Sequence, residues 1–292
     1  MSLPEQSATL TSRLAALAQR LGLTGRAPRQ VLERASSLRL PFEALPAQHD
    51  SIWWQAGAPL HSLLELPRSA LSGPVQEDKA QAHAMLIRVV ERQQQPLDSF
   101  DLRLIDGLRG DCADEPLHPN FEAYAASARC RPIRIISYKD FVKTIGLALP
   151  RFLAGEPINL CQARWKGSRV FWEGEQHGEA FACAIAYARR RGLEVTLPAR
   201  MTSYRLSPSG QDAIRQAYHV LAMPVQAWSD PAFMGLLLDS GLPYARLTLL
   251  RSPGAPEFLL LPKEHPEAMA LGEGLRLAGA PDVLTHLALL PS

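Results

Sequence analysis

The residues best equipped for chemistry lie in one stretch, VFWEGEQHGEAFA, Val170 to Ala182. Gly174 and Gly178 bracket Glu175, Gln176 and His177, with Glu173 and Glu179 on either side. An imidazole with neighbouring carboxylates can move protons when the groups converge in a cleft, with His177 as acid or base and Glu175 or Glu179 as its partner. The run Arg189-Arg190-Arg191 offers cations to an acidic protein or to RNA. No metal site is expected. His49-Asp50 reads as a turn element, and His61, His83, His118, His219, His265 and His286 have no partner spacing. Cys112, Cys130, Cys161 and Cys183 are far apart with no C-x-x-C pair, so they read as reduced, structural thiols. Asp101, Asp106 and Arg109 read as a polar loop without metal-ligand spacing.

Whether the 170–182 groups converge depends on the elements that carry them. Phe171 and Trp172 alternate across a half-buried strand, and Lys166-Gly167-Ser168 makes a hairpin turn between strands at 158–165 and 169–174. A helix from about Gln176 to Arg191 follows. Glu173, Glu175 and Glu179 complement its N-terminus, and Arg189 to Arg191 with Gly192 close it. Alanines at 180, 182, 184, 186 and 188 give it a thin side for close packing. On this reading the stretch is a strand-to-helix junction with a helix cap, favoured over a catalytic or binding site.

The order of a strand hairpin, Gly-Glu-x-x-x-x-Ala opening a helix, then GLEV leading into a strand, resembles the second conserved box of the ParB-like partition-protein domain. The resemblance covers roughly residues 130–205. Gly174, Glu175 and Ala180 match the box, and Gly167 matches the preceding turn. It implies a small α/β unit shared with sulfiredoxins, in which the helix N-terminus and arginines hold nucleotide phosphates and some members cleave DNA. Here the three arginine positions hold Gln176, His177 and Glu179, which removes the phosphate-binding charge. Only a protonated His177 restores part of it.

Composition excludes several classes. The 292-residue chain is 47% apolar with a net charge of +2, so it is not built as a whole to bind a polyanion. A local basic balance occurs in the first 40 residues, where Arg13, Arg20, Arg26, Arg29, Arg34 and Arg39 face Glu5 and Glu33. The N-terminal MSLPEQS lacks the basic and apolar regions of a secretory signal, and no run reaches the roughly 18–20 apolar residues of a membrane span. A soluble, cytoplasmic protein is expected. Phosphate-loop, dinucleotide, zincin and nucleophile-elbow motifs are absent, and Gly272 and Gly274 lie in an apolar helical pattern. No cofactor is expected.

The remaining chain predicts an N-terminal helical hairpin, broken at Gly22 and Gly25, then strands and ordered loops over 41–75. If 53–54 is extended, Trp53 and Trp54 point to opposite faces, one into the core and one outward as an anchor. Further expectations are a helix over 76–94, an acid-bearing loop ending 97–120, a strand at 131–137, and a helix opened by a Ser137–Asp140 capping box. Helices follow from Ser207-Pro208 through the YHVL run and from Asp230 to Gly241. A hairpin spans 244–262, and the end is helical, broken near Gly279-Ala280-Pro281. Strands arriving as hairpins between helices predict an α+β fold with mixed sheets. The expected division is an N-terminal helical segment at 1–40 and a body at 41–292. That body is divisible near 206 into 41–206, containing the ParB-like unit, and 207–292.

The favoured function is a non-enzymatic interaction protein, an adaptor, regulator or scaffold-binding module, partnered by another protein or by a second copy of itself. Trp53, Trp54, Trp172 and Trp228, with Arg26 and Arg29, are the expected partner-binding residues, since Trp and Arg dominate binding hot spots. The alternatives are a degenerate ParB-like nucleotide or nucleic-acid binder using 174–179 and Arg189–Arg191, and a hydrolase or transferase using His177.

Overall fold

The computed structural model describes residues 10–20, 22–23, 25–46, 50–110, 116–238, 241–249 and 254–290. In chain order they form α1 (Leu10–Arg20), α2 (Arg26–Ser36), β1 (Leu71–Ser72), α3 (Gln76–Leu86), β2 (Val90–Asp101), β3 (Ile105–Leu108), α4 (Phe121–Ala125) and α5 (Tyr138–Ala148). Next come β4 (Ile158–Ala163), β5 (Trp165–Ser168), β6 (Val170–Trp172), α6 (Gly178–Arg191), β7 (Thr196–Leu206), α7 (Pro208–Ala217) and β8 (Tyr218–Met223). The last are α8 (Pro231–Leu238), β9 (Ala245–Leu247), β10 (Glu257–Pro262), α9 (Pro266–Leu277) and α10 (Val283–Ala288). Two sheets packed against helices make the fold α+β. Among the described residues no helix is long and apolar enough to cross a membrane.

The described residues divide into two compact units. One takes those of 1–45, 63–89 and 207–290; the other takes those of 46–62 and 90–206. A unit boundary falls at 206/207, and the N-terminal helices join residues 207–290 instead of standing as a separate segment.

The 46–206 unit is built on a five-stranded sheet, β2-β7-β4-β6-β3. Strand β4 is parallel to β7 and antiparallel to β6, and β3 is parallel to β6. Strand alternation puts Leu160, Val170, Trp172, Leu197, Ala199 and Met201 into one core with Phe121, Phe141 and Phe181 of α4, α5 and α6. Helix α6 is buried on nearly every side from Ala180 to Ala188, and its small alanines let it lie close to its neighbours. The Ser137–Asp140 capping box forms as expected and opens α5.

The other unit carries an antiparallel sheet, β1-β9-β10-β8. Helix α2 buries Val31, Leu32 and Ala35 against α9. The backbones approach so closely that a Cβ on Gly274 would sit 2.5 Å from that of Ala35, and one on Gly272 would sit 2.5 Å from the His219 ring. These glycines serve packing, consistent with the lack of a dinucleotide fingerprint.

Several elements differ from the sequence expectation. Residues 131–136 form turns and unpaired chain, not a strand. Ile133 and Ile135 still lean on the core, but no strand accompanies them, and Pro132 has no N–H to donate. The helix over 76–94 stops at Leu86, and Val90 to Asp101 pairs with β7 as an edge strand, where Pro96 is tolerated. The YHVL run leaves α7 and becomes the fully buried strand β8, as its aromatic and β-branched content favours. The stretch 50–70 holds 3₁₀ turns and, apart from a single parallel bridge between Trp53 and Leu108, no strand, and both Trp53 and Trp54 are core residues.

Candidate functional site

The 170–182 stretch is a strand-to-helix junction in detail. The Glu173 N–H donates to the Asn159 carbonyl (3.0 Å), and its carboxylate, 16% exposed, pairs with Arg109. Gly174 crosses the face of Trp172, where a Cβ would lie 1.9 Å from the ring, and Trp172 is itself stacked on Phe181 with centroids 4.2 Å apart. His177 adopts φ 55°, the one non-glycine residue in the left-handed region among the described residues. It turns the chain into α6 without capping the helix by its side chain. Its carbonyl accepts from the Phe181 N–H at 3.0 Å, as the residue before a helix should.

Glu175, Gln176 and His177 are exposed, and among the described residues no hydrogen bond joins His177 to Glu175 or Glu179. The expected acid–base set therefore does not converge. Arg109 is already engaged by Glu173, so the turn presents carboxylates where a phosphate would need positive charge. Behind it, burial, reinforced by Glu173, pushes the Cys161 thiol well above the usual thiol range, leaving it a poor nucleophile.

The arginine run splits by role. Arg189 is three-quarters buried and donates to the carbonyls of Arg103 (2.7 Å) and Ile105 (2.9 Å), while facing Asp106 and Glu122. It pins α6 to the chain around β3. Arg190 and Arg191 are exposed. Of the expected partner-binding aromatics, Trp53, Trp54 and Trp172 are at most 4% exposed and belong to the core, which corrects the expectation that one of Trp53 and Trp54 points outward as an anchor. Trp228 is half-buried under the Arg246 guanidinium, whose centre lies 4.0 Å from the ring centroid. Arg26 and Arg29 are exposed on α2. His49 and Cys112 lie outside the described residues; Asp50 is exposed, 3.6 Å from Arg169. His83 bonds the Leu66 carbonyl (2.7 Å), and His265 caps α9, so both have structural work. Among the described residues no cluster of metal-ligating side chains occurs.

A different surface stands out, and it follows from the segment Arg129 to Arg151. Six cations (Arg129, Arg131, Arg134, Lys139, Lys143 and Arg151) face one acid, Asp140, and all six are exposed. Four large apolar side chains are exposed in or beside the same segment: Ile136 (77%), Tyr138 (60%), Leu147 (51%) and Leu153 (79%). Helix α5 explains part of the pattern. It buries Phe141, Thr144 and Ile145, so Lys139, Lys143 and Leu147, four residues apart, stand in a row on its outer side. The only acid of the row's helix is turned to its own cap, since Asp140 accepts from the Ser137 N–H (3.0 Å) and hydroxyl (2.8 Å).

At the C-terminal end of α5 the surface opens into a groove of about 260 Å³, lined by Leu149, Pro150, Phe152, Pro157, Ile158 and Leu197 among others. Arg151 and Glu156, also lining it, pair with each other. Its size falls below the ~300–1,000 Å³ of a small-molecule site and suits an apolar side chain of a partner. Scattered exposed leucines need no explanation, but Leu147 and Leu153 flank in sequence the residues that line the groove. Sequence reasoning passed over this surface because 131–137 was assigned to a sheet. The signal that could have found it is the six-to-one charge imbalance among aliphatic residues.

No curated protein and no solved structure matches the chain. Residues 94–292, more than half of the chain and including the whole Arg129–Leu153 segment, match DUF6685, a family of unknown function, and the chain belongs to that family.

Proposed function

We propose that the protein is a non-enzymatic interaction module, an adaptor or regulator, that docks another protein on the surface around α5. The observation that carries this reading is the pair of exposed leucines, Leu147 on the outer row of α5 and Leu153 beyond its C-terminal end, next in sequence to Ala148 and Phe152 of the groove lining. Binding hot spots combine apolar anchors seated in pockets with a charged rim, and this surface has both parts. A second copy of the chain fits it poorly, because each copy would bring the same excess of cations to a two-fold contact. The open edge of β2 is a weaker candidate, interrupted by Arg92, Pro96 and Asp98, the devices that keep edges from pairing.

The dispersed His177, Glu175 and Glu179 lend little weight to a hydrolase, and the carboxylate-bearing turn lends little to nucleotide binding. Thiols outside any disulfide at Cys130, Cys161 and Cys183, the first and last hydrogen-bonded to each other, fit a reducing compartment, and we place the protein in the cytoplasm.

The test is affinity capture from lysate with the full chain and with a Leu147→Glu/Leu153→Glu double variant as baits. Both positions are exposed, so the variant should keep the wild-type circular dichroism and melting profile. The expected result is a partner recovered by the wild-type bait and lost with the variant. Equal recovery by both baits, or none by either, counts against docking at this surface.

A further inference from the structure

Resting on that reading, we propose that the segment received by the α5 surface is an acidic, amphipathic stretch of a partner protein. Its apolar side chains would meet Leu147, Leu153 and the groove, and its carboxylates would meet the row of cations. Charge complementarity selects this occupant. Lys139 and Lys143 lie one helical turn apart on the outer side of α5 and lead directly to Leu147, a row spanning about 12 Å. Glutamates spaced four apart on a partner helix, followed by a leucine, reproduce the same row with opposite charge. Arg129, Arg131 and Arg134 extend the basic field toward the N-terminal end of α5.

The carboxylates of the same segment cancel only part of that field: Asp140 keeps its charge at the helix cap and Glu156 is matched by Arg151, which leaves Arg129, Arg131, Arg134, Lys139 and Lys143 against one acid. Two other polyanions fit less well. Nucleic-acid bases seek aromatic platforms, and of the four exposed apolar side chains only Tyr138 is aromatic. An anionic bilayer supplies charge and apolar contact, but it has no discrete side chain to fill a groove of about 260 Å³.

Fluorescence anisotropy with the full chain decides between these. The probes are a labelled helical peptide with glutamates four apart flanking leucines, the same peptide with lysines for the glutamates, a single-stranded oligonucleotide, and vesicles of phosphatidylglycerol and phosphatidylcholine. The acidic peptide should bind at least about tenfold tighter than its lysine counterpart, weaken as salt rises, and lose about tenfold in a Lys139→Glu/Lys143→Glu variant. Leu147→Glu/Leu153→Glu should cost about tenfold or more. Equal binding of both peptides, lost only in the leucine variant, overturns the acidic partner and leaves docking standing. No binding of either peptide, or binding of the oligonucleotide or vesicles alone, overturns the inference; the capture experiment then judges docking by itself.

Discussion

His219 gives the sharpest physical test of the core in the 207–290 unit. It lies on β8 with 5% of its side chain exposed, its ring against Gly272 and its Nε2 3.9 Å from the Glu273 carboxylate. Among the described residues that Nε2 has no hydrogen-bond partner. Burial, with Lys263 adding to it, holds the folded-state pKa down to about 4 from an ordinary 6.5, against the opposing pull of Glu273 and Asp282. The unfolded chain therefore binds a proton that the folded chain refuses. The sign follows: stability is complete above the unfolded pKa of 6.5 and falls as pH drops from there toward about 4, levelling below.

At 1.36 kcal/mol per pH unit, the loss across that window is about 3 kcal/mol, on the order of a fifth to a half of a typical domain's stability. Carboxylates also titrate in acid, so the measurement is a difference. Urea unfolding of wild type and His219→Gln is compared between about pH 7 and about pH 4.5. The variant starts less stable, from lost packing, and loses less on acidification. The gap between the two proteins should close or reverse by about 2–3 kcal/mol. Parallel curves would refute the argument, showing that the imidazole is not held neutral.

The remaining predictions concern the junction and the arginine run. Gly174→Ala places a methyl inside the Trp172 ring, which Phe181 prevents from moving, so it should destabilise by about 1–3 kcal/mol in thermal or urea unfolding; an unchanged midpoint would mean that the chain does not cross the ring. Arg189→Ala abandons two backbone carbonyls and should cost about 2 kcal/mol or more, while Arg190→Ala and Arg191→Ala stay within about 0.5 kcal/mol; equal effects of all three would show that the run is not split by role.

What was legible in the sequence was local and periodic. The Ser137–Asp140 box, the Gly192 stop and the Ala-rich helix before it are set by neighbouring residues and formed where their chemistry put them, whereas Lys166-Gly167-Ser168, expected as a hairpin turn, lies in the short strand β5. What was not legible depended on partners far along the chain. Val90–Asp101 becomes a strand because β7, over a hundred residues away, offers it a ladder, and 131–136 fails to become one because nothing does. The tryptophans show the same limit. Their identity marks anchors for a surface or a core alike, and only the tertiary surroundings of Trp53 and Trp54 decide for the core. The junction at His177 was found as a turn, yet its left-handed backbone was unforeseen in a non-glycine residue. The docking surface was visible as a charge count and hidden by a strand assignment that its alternating residues invited.

The central claim is that partner contact is made through the outer side of α5. Its most direct test is cross-linking mass spectrometry on the captured complex with an amine-reactive reagent. Lys139 and Lys143 are exposed and stand beside Leu147 on that surface, whereas Lys79 belongs to α3 and Lys263 follows β10 in the other unit. The account predicts partner cross-links concentrated at Lys139 and Lys143 and absent in the Leu147→Glu/Leu153→Glu variant. Partner cross-links confined to Lys79 or Lys263, with Lys139 and Lys143 unreacted, would contradict it.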